Sequence, residues 1–134
     1  MSDNIDLKEY SDFVDKVTSE ESKDSTAFRQ RLDDLGNGDI PRLLTAAMGL
    51  SAESGEFTEI VKKLVFQGKP LTDDTRTHMI KELGDVMWYW TQGCMALGIN
   101  PNKVINMNKE KLLARYPEGE FEVAKSENRK EGDI

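Results

Sequence analysis

Apolar positions along this chain recur at helical spacing, and no segment shows the two-residue alternation of a half-buried strand. Leu7, Tyr10, Phe13/Val14 and Val17 predict a first helix from about Ile5 to Ser19. The charged stretch Glu20 to Ser25 reads as a loop. Thr26 to Leu35 reads as a short helix ended by Gly36-Asn37-Gly38. Asp39 is a plausible cap and Pro41 is tolerated in a first turn, so a long helix should run from about Ile40 to Phe66. Gly68 and Pro70 end it. Thr72, Asp73 and Asp74 offer an acidic start to a second long helix, reaching about Leu97 before Gly98. Asn100-Pro101 opens a last helix to about Tyr116, where Pro117 stops it. The short turn between the two long helices makes them antiparallel neighbours. The expected fold is therefore all-α, a helical bundle with two long antiparallel helices at its centre. Glu118 to Ile134 is mostly charged, with Phe121 and Val123 its only sizeable apolar anchors, and should be a poorly ordered end.

The long helices carry acids at mirror positions about their turn. Glu53 and Asp85 each lie 16 residues from Lys69, and Glu56 and Glu82 each lie 13 from it. In an antiparallel pair all four carboxylates fall at one level. Acids at the same i, i+3 spacing elsewhere, such as Asp6/Glu9 and Asp12/Asp15, belong to the solvated face of the first helix. Glu53 differs, because at about 100° per residue it points with Ala46, Leu50, Phe57, Ile60 and Leu64. Glu56 is one step to the side. Glu82 borders Met79, Leu83, Val86 and Trp90, with Asp85 just beyond. Clustered carboxylates in an apolar setting repel one another and are costly to desolvate, and a divalent cation is the simplest way to hold them together. Tyr89 lies near Glu82 and Asp85, where it can line the site. His78 falls on that side a turn away and reads as a surface residue. Cys94 reads as a small buried hydrophobe. Trp90 belongs to the apolar stripe while Trp88 points nearly opposite. A monomer could not easily bury both, so Trp88 is expected at a subunit interface or in a base-binding pocket, the interface being preferred.

Composition narrows the chemistry. A chain of 134 residues is one domain by size. A net charge of −7 with no Lys/Arg block argues against a nucleic acid polymer as partner. A small polyphosphate stays possible, since a bound cation reverses the local field. No apolar run approaches the roughly 20 residues of a membrane span, and the polar, acidic stretch from Met1 to Lys16 is unlike a signal peptide. The cytoplasm is the expected compartment. One cysteine and one histidine exclude a thiolate zinc site and a multi-histidine centre. A ferritin-like di-iron site, which needs Glu-x-x-His on two helices, fails on the same count. An all-oxygen site favours Mg²⁺, with Mn²⁺ as substitute, and Mg²⁺ held by a few carboxylates accepts substrate phosphates.

The residues then reach a resemblance. Leu50-Ser51-Ala52-Glu53-Ser54-Gly55-Glu56, followed by Lys81-Glu82-Leu83-Gly84-Asp85-Val86-Met87-Trp88-Tyr89, resembles the ExxE and ExxD blocks of MazG-type nucleotide pyrophosphohydrolases. Gly98-Ile99-Asn100 and the segment Asn108 to Pro117 are similar to later blocks of that family. The likeness covers about residues 40 to 117 of one MazG-like domain spanning 1–134, with 118–134 as its tail. It implies an all-α fold, obligate oligomers, and hydrolysis of nucleoside triphosphates to monophosphate and pyrophosphate. It also implies Glu53, Glu56, Glu82 and Asp85 as metal ligands, and Lys111 and Arg115 as phosphate contacts with Asn108 nearby. Lys111 and Arg115 share one helix face at i, i+4, where Arg can fork onto a phosphate and Lys acts as a point charge.

The reading is an oligomeric, dimeric or tetrameric, Mg²⁺-dependent pyrophosphohydrolase that cleaves (deoxy)nucleoside triphosphates between the α and β phosphates. Two alternatives stand beside it. One is a related enzyme acting on an alarmone or a phosphoribosyl nucleotide. The other is a non-catalytic helical interaction module with a structural cation.

Overall fold

The computed structural model describes residues 4–119 and 123–124, and every regular element among them is helical. The chain groups into two compact units, Met1–Gly38 and Asp39–Ile134. Most of the expected tail, Phe121 included, lies outside the described residues.

In the first unit, α1 spans Leu7–Val17. Asp6 caps it, its carboxylate accepting from the Lys8 and Glu9 amides at 3.0 and 3.3 Å. The segment read as a loop contains one 3₁₀ turn, Glu20–Ser22, because the Lys23 and Asp24 amides both fold back onto the Glu20 carbonyl. Helix α2, Ser25–Asp34, starts one residue before its sequence-based bound because Asp24 accepts from the Ala27 amide at 2.8 Å.

The second unit is built on a helical hairpin. Helix α3 runs Ile40–Phe66, capped by Asp39 with Pro41 in the first turn. It ends where Gly68 takes a left-handed φ of 64°, open to glycine without a Cβ clash. The Lys69 amide then turns back onto the Lys63 carbonyl at 3.1 Å. Thr72 caps α4, Asp73–Ala96, and Asn100 caps α5, Pro101–Arg115. Each side-chain cap contributes about 1 kcal/mol by satisfying an otherwise unpaired amide. All five helices match their expected order, and α3 and α5 match their expected starts.

Helices α3 and α4 pack against each other extensively, while α5 makes a smaller contact with α4. Gly49 marks the close approach of the hairpin. A Cβ there would run into the Tyr89 ring, so the missing side chain is what admits the aromatic. Ala46 faces Gly93 farther along. Arg42 Nη1 donates to Gln92 Oε1 at 3.1 Å across the pair. Ala46, Gly49, Ile60, Cys94 and Glu82 are the buried residues of the hairpin.

One expectation changes. Met79, Leu83, Val86 and Trp90 were read as the core stripe of α4, but Leu83 is half-exposed and Glu82 is buried. The reason is rotation. With Tyr89 seated on Gly49 and Gly93 beside Ala46, the α4 face turned to α3 carries Glu82, Tyr89 and Gly93, which share one side at 3.6 residues per turn. Leu83, Val86 and Trp90 instead line a groove with Val104, Ile105 and Asn108 of α5.

Candidate metal centre

The buried face of the hairpin carries acids in its middle. Glu53 from α3 and Glu82 and Asp85 from α4 each present a carboxylate oxygen, and these oxygens lie within 4.8 Å of one another. Local sequence explains the placement. The i, i+3 spacing puts Glu82 and Asp85 on adjacent positions of one helix face, and the turn at Gly68 sets the register that brings Glu53 opposite. Oxygens on opposite sides of one Mg²⁺ lie about 4.2 Å apart, twice a Mg–O bond of about 2.1 Å, so the three need close by about 0.6 Å at most to share one coordination shell.

The three acids are not equivalent. Glu82 is 9% exposed, Glu53 is half-buried and Asp85 faces solvent. Glu82 Oε1 lies 3.1 Å from His78 Nε2, one turn earlier on α4. Its other oxygen, Oε2, is buried without a hydrogen-bond partner. A buried carboxylate oxygen with no donor is costly, and a cation or a shared proton is what it lacks. The Glu53 carboxyl is held above the usual carboxylate range. The close approach of the facing Glu82 side chain is the largest cause; burial comes next, then the charges of Asp85, Glu82 and Glu56. The oxygen donor set, its spacing and the orphaned Oε2 fit a hard divalent cation.

The other site residues fall as follows. Glu56 is exposed and stands outside the group of three, close enough for its charge to act on Glu53. Tyr89 packs on Gly49, half-buried, with its ring edge-on to Trp88 at 4.9 Å. Asn108 lies in the α4–α5 groove, on a face of α4 about a quarter-turn or more from Glu82. Lys111 is half-buried on α5, and the Arg115 guanidinium lies 5.9 Å from the Tyr116 ring centre. His78 was read as a surface residue. Its ring is indeed mostly exposed, yet it hydrogen-bonds the deepest acid of the site. The i, i+4 spacing to Glu82 was the available signal.

The all-α hairpin thus brings carboxylates from both arms within 4.8 Å of one another, one of them on the buried Glu82. The MazG nucleotide pyrophosphohydrolase domain model matches residues 42–119, and the chain belongs to that family. The matched stretch contains all three converging acids, Glu56, and the α5 residues. The Gene 37 protein of Mycobacterium phage L5 is 36% identical over 88 residues, covering 63% of this chain and 77% of the phage protein. No solved structure matches the chain. Among the described residues, no helix is long and apolar enough to cross a membrane.

Proposed function

We propose that this protein hydrolyses (deoxy)nucleoside triphosphates between the α and β phosphates, giving monophosphate and pyrophosphate in the cytoplasm. The observation that carries the reading is the meeting of Glu53, Glu82 and Asp85 carboxylate oxygens within 4.8 Å, with Glu82 Oε2 buried and partnerless, in a chain of this family. Those three carboxylates would hold the cation. Mg²⁺, or Mn²⁺ in its place, supplies charge neutralisation for the phosphate oxygens and lowers the pKa of an attacking water.

The chain's own residues supply the rest. His78 orients Glu82 through its 3.1 Å contact with Oε1, and Oε2 is left without a partner. Glu56 stands beside the group and is exposed, which suits a general base reached by solvent. The Tyr89 ring packs on Gly49, and Tyr89 follows Asp85 by one turn of α4, which suits a residue lining the site. Lys111, Arg115 and Asn108 contact phosphates in this reading, as point charge, fork and amide respectively.

The working form is a homo-oligomer, dimer or tetramer. Leu83, Met87, Trp88 and Met95 are all more than half exposed on α4, and Met48 is 69% exposed on α3. Exposed apolar side chains of this size favour a covered face, and closed symmetry is the common way to cover one.

Product analysis tests the reaction. Purified protein given nucleoside triphosphates and Mg²⁺ should yield monophosphate and pyrophosphate, and Glu53→Gln should abolish turnover without loss of helicity. Release of diphosphate and free phosphate by the pure protein would refute the bond named here. Cation-dependent stabilisation with no turnover of any nucleotide would favour the interaction-module reading instead.

A further inference from the structure

The turn that closes the α3–α4 hairpin shapes a cleft of about 330 Å³. Ile60 and Leu64 line it, along with Lys63, Lys69, Asp74 and His78. The backbone brings the two lysines together. The left-handed Gly68 reverses the chain, and the Lys69 amide bonds the Lys63 carbonyl at 3.1 Å. Lys63 and Lys69 line one small cleft beside Asp74, and the Lys63 ammonium also lies 3.6 Å from Glu59 Oε1, an exposed i, i+4 pair that a phosphate can displace.

The cleft adjoins the metal centre. His78 lines it and also contacts Glu82, and the two residues are one turn apart, about 6 Å along α4. On α3, the Cα–Cβ bond of Lys63 tilts towards the helix amino terminus, which is the direction of Glu53. The apolar floor lowers the local dielectric and strengthens any charge pairing made over it. Lysine is a compact point charge suited to phosphate oxygens. By contrast, Asn108 and its neighbours on α5 meet a different face of α4.

We propose that this cleft is a pyrophosphate subsite, in which Lys63 and Lys69 hold the two terminal phosphates of the substrate and then the pyrophosphate product. The inference deepens the pyrophosphohydrolase reading and rests on it for the identity of the ligand. It assigns the hairpin turn a binding role besides that of setting the helix register.

The test is direct binding of inorganic pyrophosphate in millimolar Mg²⁺, by calorimetry, which needs no turnover. Lys63→Ala/Lys69→Ala should weaken pyrophosphate at least about tenfold, the scale of one lost charge-assisted contact. Lys63→Arg/Lys69→Arg should stay within about threefold of wild type, since the charge remains. Lys8→Ala, whose lysine pairs with Asp12 at 3.0 Å on α1 and does not line the cleft, should leave binding unchanged. Mg²⁺ affinity should not change in any of the three. Unaltered pyrophosphate affinity in the double alanine variant overturns the inference. So does a variant that loses nucleoside monophosphate while keeping pyrophosphate, which would make the cleft a base pocket. Lysine-dependent pyrophosphate binding by a protein that hydrolyses no nucleotide would uphold the subsite and sink the proposed reaction. Turnover with pyrophosphate binding indifferent to both lysines would do the reverse.

Discussion

Glu53 on α3 faces Glu82 on α4, and the approach of the Glu82 carboxylate raises the Glu53 pKa more than any other influence. Folding therefore strengthens proton binding at Glu53. Between the ordinary glutamate pKa and the raised one, the folded chain binds more protons than the unfolded chain, so stability falls as pH rises through that window. Cation-free protein should melt higher just above pH 4.5 than it would with Glu53 replaced by Gln, relative to each protein's own value at pH 7. Divalent cation affinity should move oppositely and weaken as pH falls, because the ion competes with that proton. Thermal melts across pH 4.5 to 7.5, with EDTA and with Mg²⁺, check both signs.

Glu82→Gln removes the charge at the deepest acid and keeps an oxygen for His78. Without added cation this variant should melt no lower than wild type, since a like-charge contact is relieved. Wild type should gain about 2.7 kcal/mol at a cation concentration 100 times its Kd. The variant should gain almost none. Equal Mg²⁺-induced shifts in the two proteins would remove Glu82 from the ligand set.

Gly49→Ala places a methyl where the Tyr89 ring lies. Overpacking of this kind costs about 1–3 kcal/mol, so the denaturation midpoint should drop. Combining it with Tyr89→Ala should recover part of that loss, giving a coupling of about 0.5–3 kcal/mol in a double-mutant cycle. Strict additivity would mean that the ring simply swings aside.

Trp88→Glu introduces a charge on the exposed apolar face of α4. Light scattering should show a shift to smaller species with helicity retained. Wild-type protein that stays monomeric and fully active across the micromolar range would rule out the oligomeric reading.

Asp39, Pro41, Gly68 and Pro70 were enough to place Ile40–Phe66, because capping and helix termination involve residues within a few positions of one another. The meeting of Glu53 with Glu82 and Asp85 was also legible, since a short turn between regular helices fixes which residues share a level. The roll of each helix about its own axis was not. One residue step turns a helix by about 100°, and the side that lands on the partner depends on where the backbones approach most closely. Here Gly49 and the Tyr89 ring set that roll, so Glu82 is deepest, Leu83 turns out, and Glu56 stands outside the group of three. The cleft between Lys63 and Lys69 has the same origin. It is made by a backbone reversal whose two flanking helices must first be packed before any pocket exists between them.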